Sequence, residues 1–200
     1  KLKSGNTIET KRVVFCIPKE GLIKLCDSFT DKEQELFNSV NSSSLTRIFT
    51  KYNVDKKENE WMKKLNFSTV ANPIRQIIPI KQVLGKNIGL FQISYSDWNH
   101  SDYWGRLNLD NTKKVLKKLL EETFHNKNID SPEWIKKIYW KNAIHFWKPN
   151  VNEKTLYKKI MKLRPNVFIG GESFSLNQGW SEGAVQTSID LSKLLKKIIF

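Results

Sequence analysis

The residues whose types and spacing point most clearly to chemistry lie near the C-terminus, in VFIGGESFSLNQGWSEGAVQTSIDL, residues 167–191. A short apolar run, residues 166–169, leads into Gly170, Gly171 and one acid, Glu172. A polar loop follows. A helix is then entered through Gly179, Trp180 and Ser181, with Glu182, Gly183 and Ala184 next in the chain. Glycines at a strand-to-helix junction let backbone come close to a ligand. The first N–H groups of a helix lack intrahelical partners and favour negative oxygens. Glu172, just past the strand, can accept hydrogen bonds from ribose or ribityl hydroxyls. Trp180 can present a flat apolar wall. The set suits a large planar cofactor with a polyhydroxyl, pyrophosphate-bearing tail. An ordinary strand–turn–helix connection, its glycines serving only to turn the chain, fits the same spacing. Spacing alone leaves both open.

Other constellations are weaker. His100, His125 and His145 are too scattered to suggest a metal cluster, and no metal is expected. No nucleophile elbow supports a Ser-His-Asp arrangement. The two cysteines, Cys16 and Cys26, make neither a disulfide framework nor a four-ligand zinc site. Cys16 sits in an apolar run and reads as a buried small hydrophobe. Nothing indicates an oxidising compartment, so the cytoplasm is favoured.

The elements that must position these groups can be read from periodicity. Residues 12–18 (RVVFCIP) form a continuous apolar run ended by proline, the pattern of a buried strand. Residues 31–40 read as a helix, with Thr30 as N-cap and Glu33 completing a capping box. Residues 45–52 (LTRIFTKY), 75–80 (RQIIPI) and 88–95 (IGLFQISY) read as strands, and Pro79 places the second at an edge or strand end. Residues 96–107 read as a polar, aromatic loop. Residues 111–124 read as an amphipathic helix, with Val115, Leu116, Leu119 and Leu120 on its apolar face. Residues 133–147 are aromatic-rich and extended, residues 153–163 helical, and a last helix runs from about 179 to the end. Its tail, LSKLLKKIIF, is basic and amphipathic. Packing on the protein is preferred there over contact with an anionic membrane surface.

The chain has 200 residues, 39% of them hydrophobic, enough for one substantial core or two lobes. No apolar run approaches the length of about 20 residues that a membrane span needs. No signal peptide is visible, and the opening from Lys1 reads like mid-domain sequence, so the chain is expected to be a fragment. The formal charge of +14 permits attraction to polyanions. The lysines, however, are spread in pairs such as Lys113 and Lys114 or Lys117 and Lys118, as on solvated helix faces, and no specific nucleic-acid motif stands out.

Residues 167–191 resemble the C-terminal flavin-contacting motif of the flavin-containing amine oxidases, which include monoamine, polyamine and L-amino-acid oxidases. In that family a strand runs into Gly-Glu, and a loop leads to Gly-aromatic-x-Glu-Gly-Ala on the last flavin-domain helix. Here these are Gly171-Glu172 and Gly179-Trp180-Ser181-Glu182-Gly183-Ala184. Residues 13–18 followed by 21–24 resemble the family's strand–Pro–x–x–x–Leu–Lys passage from flavin domain to substrate domain, and weaker likenesses lie in PIRQII (73–78), SYSD (94–97) and HFWKP (145–149). The resemblance implies an α+β fold, the C-terminal portion of a two-domain flavoprotein. Residues 1–18 and 165–200 would belong to the FAD-binding domain, the latter as its last strand and helix. Residues 19–164 would form a mixed-sheet substrate domain with helices. The G-x-G-x-x-G fingerprint of the nucleotide-binding βαβ unit does not occur in these residues, and would lie in a missing N-terminal half.

The same resemblance implies FAD as cofactor, held by Gly170, Gly171, Glu172 and the stretch from Gly179 to Ala184. The substrate would be a small amine or amino acid, oxidised to an imine. Trp180 falls where the family places one aromatic of its substrate cage, with Trp147 as a second wall, whereas Trp104 and Trp140 read as structural. One departure stands out. Thr46-Arg47-Ile48 puts arginine where many members carry a lysine near the flavin. Arginine keeps the charge but cannot act as a neutral base. Arg47, or else Arg75, can instead pair with a substrate carboxylate. Alternatives are a non-catalytic module that kept the fold, or a basic polyanion-binding protein.

Overall fold

A computed structural model describes residues 4–82, 88–126 and 128–199, and the side chains of these except at 26, 81, 82, 88 and 199. Phe200 and the side chain of Cys26 thus lie outside the described residues. The chain forms two compact units, Lys1–Ser42 with Ile144–Phe200, and Ser43–Ala143. These are packing bodies. Residues 19–42 and 144–164, expected with the substrate domain, pack within the first of them.

The five-stranded sheet, most of whose residues lie in the second unit, has strand order β3-β4-β5-β2-β6. Its strands are β2 (Val40–Asn53), β3 (Ser68–Thr69), β4 (Gln76–Gln82), β5 (Ile88–Asp97) and β6 (Trp134–Trp147). β-branched and aromatic residues recur along β2 and β5, whose antiparallel register runs from Leu45↔Asp97 to Asn53↔Ile88. Short β3 pairs only with Gln76 and Ile77 of β4, so Pro79 lies beyond that ladder on the edge, as expected. Two helices, α3 (Trp98–Gly105) and α4 (Leu109–Phe124), supply the other side of the core. Ile48, Phe91 and Ile93 from the sheet cluster with Trp104, Leu116 and Leu120. Each such side chain contributes about 1.5–3 kcal/mol on leaving water. Asn108 caps α4 by accepting the Asn111 N–H at 2.8 Å, which starts the helix two residues earlier than its apolar pattern shows.

Residues 96–107 are a correction. They end β5 and form α3 rather than a loop. Only Ser101 and Trp104 of this eight-residue helix are buried, too few to print a period. The Ser101 hydroxyl meets Thr46 Oγ1 at 2.8 Å, and Trp104 donates from Nε1 to the Pro73 carbonyl at 2.7 Å.

The first unit contains a three-stranded sheet of order β1-β8-β7: β1 (Val13–Phe15), β7 (Lys162–Arg164) and β8 (Val167–Ile169). Helices α1 (Lys19–Ile23), α2 (Asp31–Phe37), α5 (Glu153–Met161) and α6 (Ser181–Ile199) complete it. The capping box at Thr30 and Glu33 is present, although α2 stops at Phe37 and Val40 opens β2. α5 stops at Met161, because Lys162–Arg164 pair with β8. β1 departs from the buried strand expected. Among the described residues it is the sheet's edge, paired with β8 alone, so Val14 is 40% exposed and Cys16 is exposed rather than buried. Among the described residues, no helix is long and apolar enough to cross a membrane.

Candidate functional site

β8 sits between its neighbours because Val167, Phe168 and Ile169 pair in parallel with Val13, Val14 and Phe15. The ladder continues one step further, where the Gly170 N–H donates to the Phe15 carbonyl at 2.9 Å. The four glycines of the following connection then serve different ends. A Cβ on Gly170 would stand 2.7 Å from Leu191 Cδ1, so Gly170 lets α6 lie against the strand end. A Cβ on Gly183 would stand 2.3 Å from the Asn177 carbonyl oxygen, so Gly183 lets the loop touch the helix. Gly179 turns the chain at φ 83°. Gly171 has φ 106°, and nothing lies within 4 Å of a Cβ built on it. Of the four, it is Gly171 that leaves open space beside its backbone.

Glu172 follows Gly171 and is held on several sides. Its Oε2 lies 2.7 Å from His145 Nδ1, and its Oε1 accepts the Gly179 N–H at 2.5 Å and the His145 N–H at 3.4 Å. The imidazole's other nitrogen, Nε2, lies 3.2 Å from Glu20 Oε2. Burial alone would lower the His145 pKa, but hydrogen bonds to Glu172 and Glu20, with their charges, outweigh it and raise the value. Burial likewise pushes both carboxyls up. Hydrogen bonds from His145, joined by the Gly179 N–H at Glu172 and by Ser42 at Glu20, leave both below the usual carboxylate value. The arrangement sets one imidazole between two carboxylates and favours its protonated form.

Gln178 staples the same loop from the other side. Its amide oxygen accepts the Trp147 N–H at 2.7 Å and its amide nitrogen donates to the Ser173 carbonyl at 2.5 Å. Trp147, expected as a second wall of the cage, is 9% exposed and belongs to the core with Phe37 and Phe174. Its indole N–H donates to the Ser175 carbonyl at 3.0 Å. It supports the loop from beneath, because a large aromatic on the alternating face of β6 points inward. Trp180 is 72% exposed at the head of α6. Ser181 and Glu182 border a hollow of about 320 Å³ together with Asn177, Val185 and Gln186. Ala184 is half-buried one turn on.

Gly170, Gly171, Glu172, Gly179, Trp180, Ser181, Glu182, Gly183, Ala184 and Trp147 thus belong to one compact unit, and Arg47 to the other. On β2, Arg47 borders a hollow of about 400 Å³ with Leu45, Trp140, Asn142 and Ala143. Trp140, read as structural, is 42% exposed there, because it faces away from the helix-covered core. The Arg47 guanidinium carbon lies 5.0 Å from the centre of the Tyr95 ring, its register partner. Arg47 Nε is buried and has no hydrogen-bond partner among the described residues. Arg75, at φ 60°, also bridges to Tyr95. The two candidate arginines therefore flank one tyrosine.

No family model matches the chain, and no curated protein matches it by sequence. Among solved structures, the chain superposes on cyclohexylamine oxidase from Brevibacterium oxydans IH-35A with a TM-score of 0.70. The chain has the fold of part of an amine oxidase. The match covers 96% of this chain and 45% of the oxidase, so the chain spans less than half of that protein's length. Sequence identity is 10%, and the likeness is one of fold.

Sequence reasoning missed His145 and Glu20. The HFWKP stretch drew attention to the former only as a pattern. Its partners stand 125 and 27 residues away in the chain, so spacing carries no trace of them.

Proposed function

We propose that this chain is the substrate-side and cofactor-capping part of an FAD-dependent oxidoreductase that oxidises the carbon–nitrogen bond of an amine or amino acid to an imine. The observation that carries this is the connection from β8 to α6. There Gly171 leaves open space beside a carboxylate at the head of a 19-residue helix, in a chain with the fold of part of an amine oxidase. The residues fit a flavin tail. Glu172, with a side chain 21% exposed, accepts hydrogen bonds from ribityl hydroxyls, and the backbone of 179–184 offers N–H groups to pyrophosphate or the pyrimidine edge. Bound FAD supplies the acceptor for the hydride equivalent leaving the carbon beside nitrogen.

The chain's own residues bind and orient. Trp180 gives an aromatic wall that shields the reacting carbon from water. Trp147 holds the loop in place from the core. Arg47 pairs with a substrate carboxylate, favouring amino acids over simple amines, and its unsatisfied Nε supports that assignment. An N-terminal FAD-binding half carrying G-x-G-x-x-G completes the cofactor cradle. A second reading, a non-catalytic module with the same fold, is favoured by arginine at position 47 in place of a lysine.

The visible spectrum of the complete gene product tests the enzyme. Bands near roughly 375 and 450 nm mark bound oxidised flavin, and their bleaching by an amine or amino acid under anaerobic conditions identifies the substrate class. A folded, colourless protein that takes up no added FAD rejects the enzyme and leaves the module.

A further inference from the structure

His145 is 3% exposed, and both its ring nitrogens face carboxylates. A neutral imidazole has one N–H and one acceptor nitrogen, so it can satisfy only one of them. Only the cation donates to Glu20 and Glu172 together. The Ser173 hydroxyl lies 3.3 Å from Nδ1. The cations beside the cluster are Lys19, whose Nζ donates to the Val40 carbonyl at 2.5 Å, and Lys148; Lys19 feels the charges of Glu20 and Lys148. Glu172 in turn accepts the N–H of Gly179, the residue before Trp180. One carboxylate therefore joins β6, the turn after β8 and the entry to α6.

We propose that His145, clamped between Glu20 and Glu172, is the positioning residue that fixes Glu172 and, through the Gly179 N–H, the loop that presents Trp180 and the head of α6. Its importance for the cofactor rests on the proposed flavin site; the clamp itself does not. On deprotonation the single N–H that remains serves only one of the two carboxylates, so Glu172 faces a lone pair in the tautomer that keeps Nε2–H, and a side chain with no donor leaves it facing a buried void. The carboxylate then turns toward water and releases Gly179.

Two conservative variants separate positioning from mere packing. His145→Asn places an amide N–H near the position of Nδ1 and keeps the donor toward Glu172. His145→Gln places it near Nε2 and keeps the donor toward Glu20. The first readout needs no ligand: amide hydrogen exchange at Gly179 in the full chain. It is expected to quicken about 10- to 100-fold in His145→Gln, the worth of a hydrogen bond to a charged group, and to stay within about 3-fold of wild type in His145→Asn. In the wild type, protection corrected for intrinsic exchange falls as pH rises through the raised His145 pKa, and in His145→Asn it does not. The second readout is the FAD dissociation constant, expected to rise about 10-fold or more in His145→Gln only.

Equal Gly179 protection in wild type and both variants overturns the clamp. Should His145→Gln fail to fold, the pH series on wild type and His145→Asn decides alone. Gly179 protection that follows the expected order, in a wild type that takes up no FAD, upholds the clamp and rejects the flavin site. FAD affinity equal in both variants and wild type, with the clamp intact, removes the cofactor role.

Discussion

Both compact units have an apolar core, but they differ in what holds their most exposed connections. In residues 43–143, a sheet and two helices close over Ile48, Ile77, Ile93, Trp104, Leu116 and Leu120, each 0% exposed. In the other unit, the sheet strands are three residues long, and the connection from β8 to α6 is tied down by His145, Glu172, Gln178 and Thr187. Apolar burial is non-directional and indifferent to pH. Charged hydrogen bonds are directional, and a group left unpaired inside the protein costs more than the bond was worth. The second unit should therefore fail by volume, and the β8-to-α6 connection of the first by charge and by close contact.

Trp104→Ala breaks the comparison at its strongest point. The indole is fully buried, and its N–H donates to the Pro73 carbonyl. Removing it costs about 3–5 kcal/mol from volume alone. Urea unfolding of the variant should give the same loss at pH 5.5 and pH 8.5. A loss that varies with pH contradicts the apolar account of this unit.

In the first unit, Gly183→Ala is the matching test. The new methyl meets backbone at 2.3 Å, so the loop at Asn177 must move, at a cost of about 1–3 kcal/mol. Gly171→Ala meets no neighbour and pays only for its positive φ, about 1 kcal/mol. Thermal melts of the pair should place Gly183→Ala lower. The reverse order means that the loop does not rest on α6 as described.

The pH dependence of stability sharpens the contrast further. His145 is raised in the folded protein, so its contribution is complete below the unfolded value of about 6.5 and is lost as pH climbs through the folded value. Glu20 and Glu172 are depressed, so theirs is complete above about 4.3 and is lost as pH falls through the folded values. Stability from the cluster therefore peaks between these limits. Urea melts from pH 4 to 9 should show an alkaline decline that His145→Asn lacks.

The same contrast decides what was legible in the sequence. Leu116 and Leu120 announce their helix because apolar burial recurs with the helical period, and Val115 and Leu119 pack beside them. β2, β4 and β5 show through their β-branched residues and Pro79. Thr30 and Glu33 show through a spacing that capping geometry fixes. α3 and α1 stayed hidden because short helices bury too few residues to make a pattern. At the candidate site, the glycines and Glu172 were visible, but not their division of labour, since whether a glycine serves packing or open space depends on Leu191 and Asn177. His145 was invisible as a partner because tertiary contact alone joins it to Glu20 and Glu172. Cys16 misled because an apolar run describes an edge strand as well as a central one.

The smallest expected effect tests whether the polar ties of the first unit all matter alike. Glu33 closes the capping box at Thr30 and receives Arg164, which donates from Nε at 2.6 Å and from Nη2 at 2.5 Å. The hydrogen bonds from Arg164 outweigh burial and, with those from Thr30, bring the Glu33 pKa down to about 2. Its stability contribution is thus complete above the unfolded carboxyl value and lost only as pH falls toward about 2. The Arg164 side chain is 38% exposed and that of Glu33 13%, so water and salt reach the pair from the arginine side, unlike the buried His145. Glu33→Gln keeps an oxygen for the Thr30 N–H but loses the charge and the acceptor facing Arg164 Nε. It should cost about 0.5–1 kcal/mol at pH 7, less in high salt, and progressively less as pH falls through about 2. A loss as large as that of Gly183→Ala, or one that salt leaves unchanged, means that this exposed pair holds α2 to β7 as firmly as close packing holds the loop to α6.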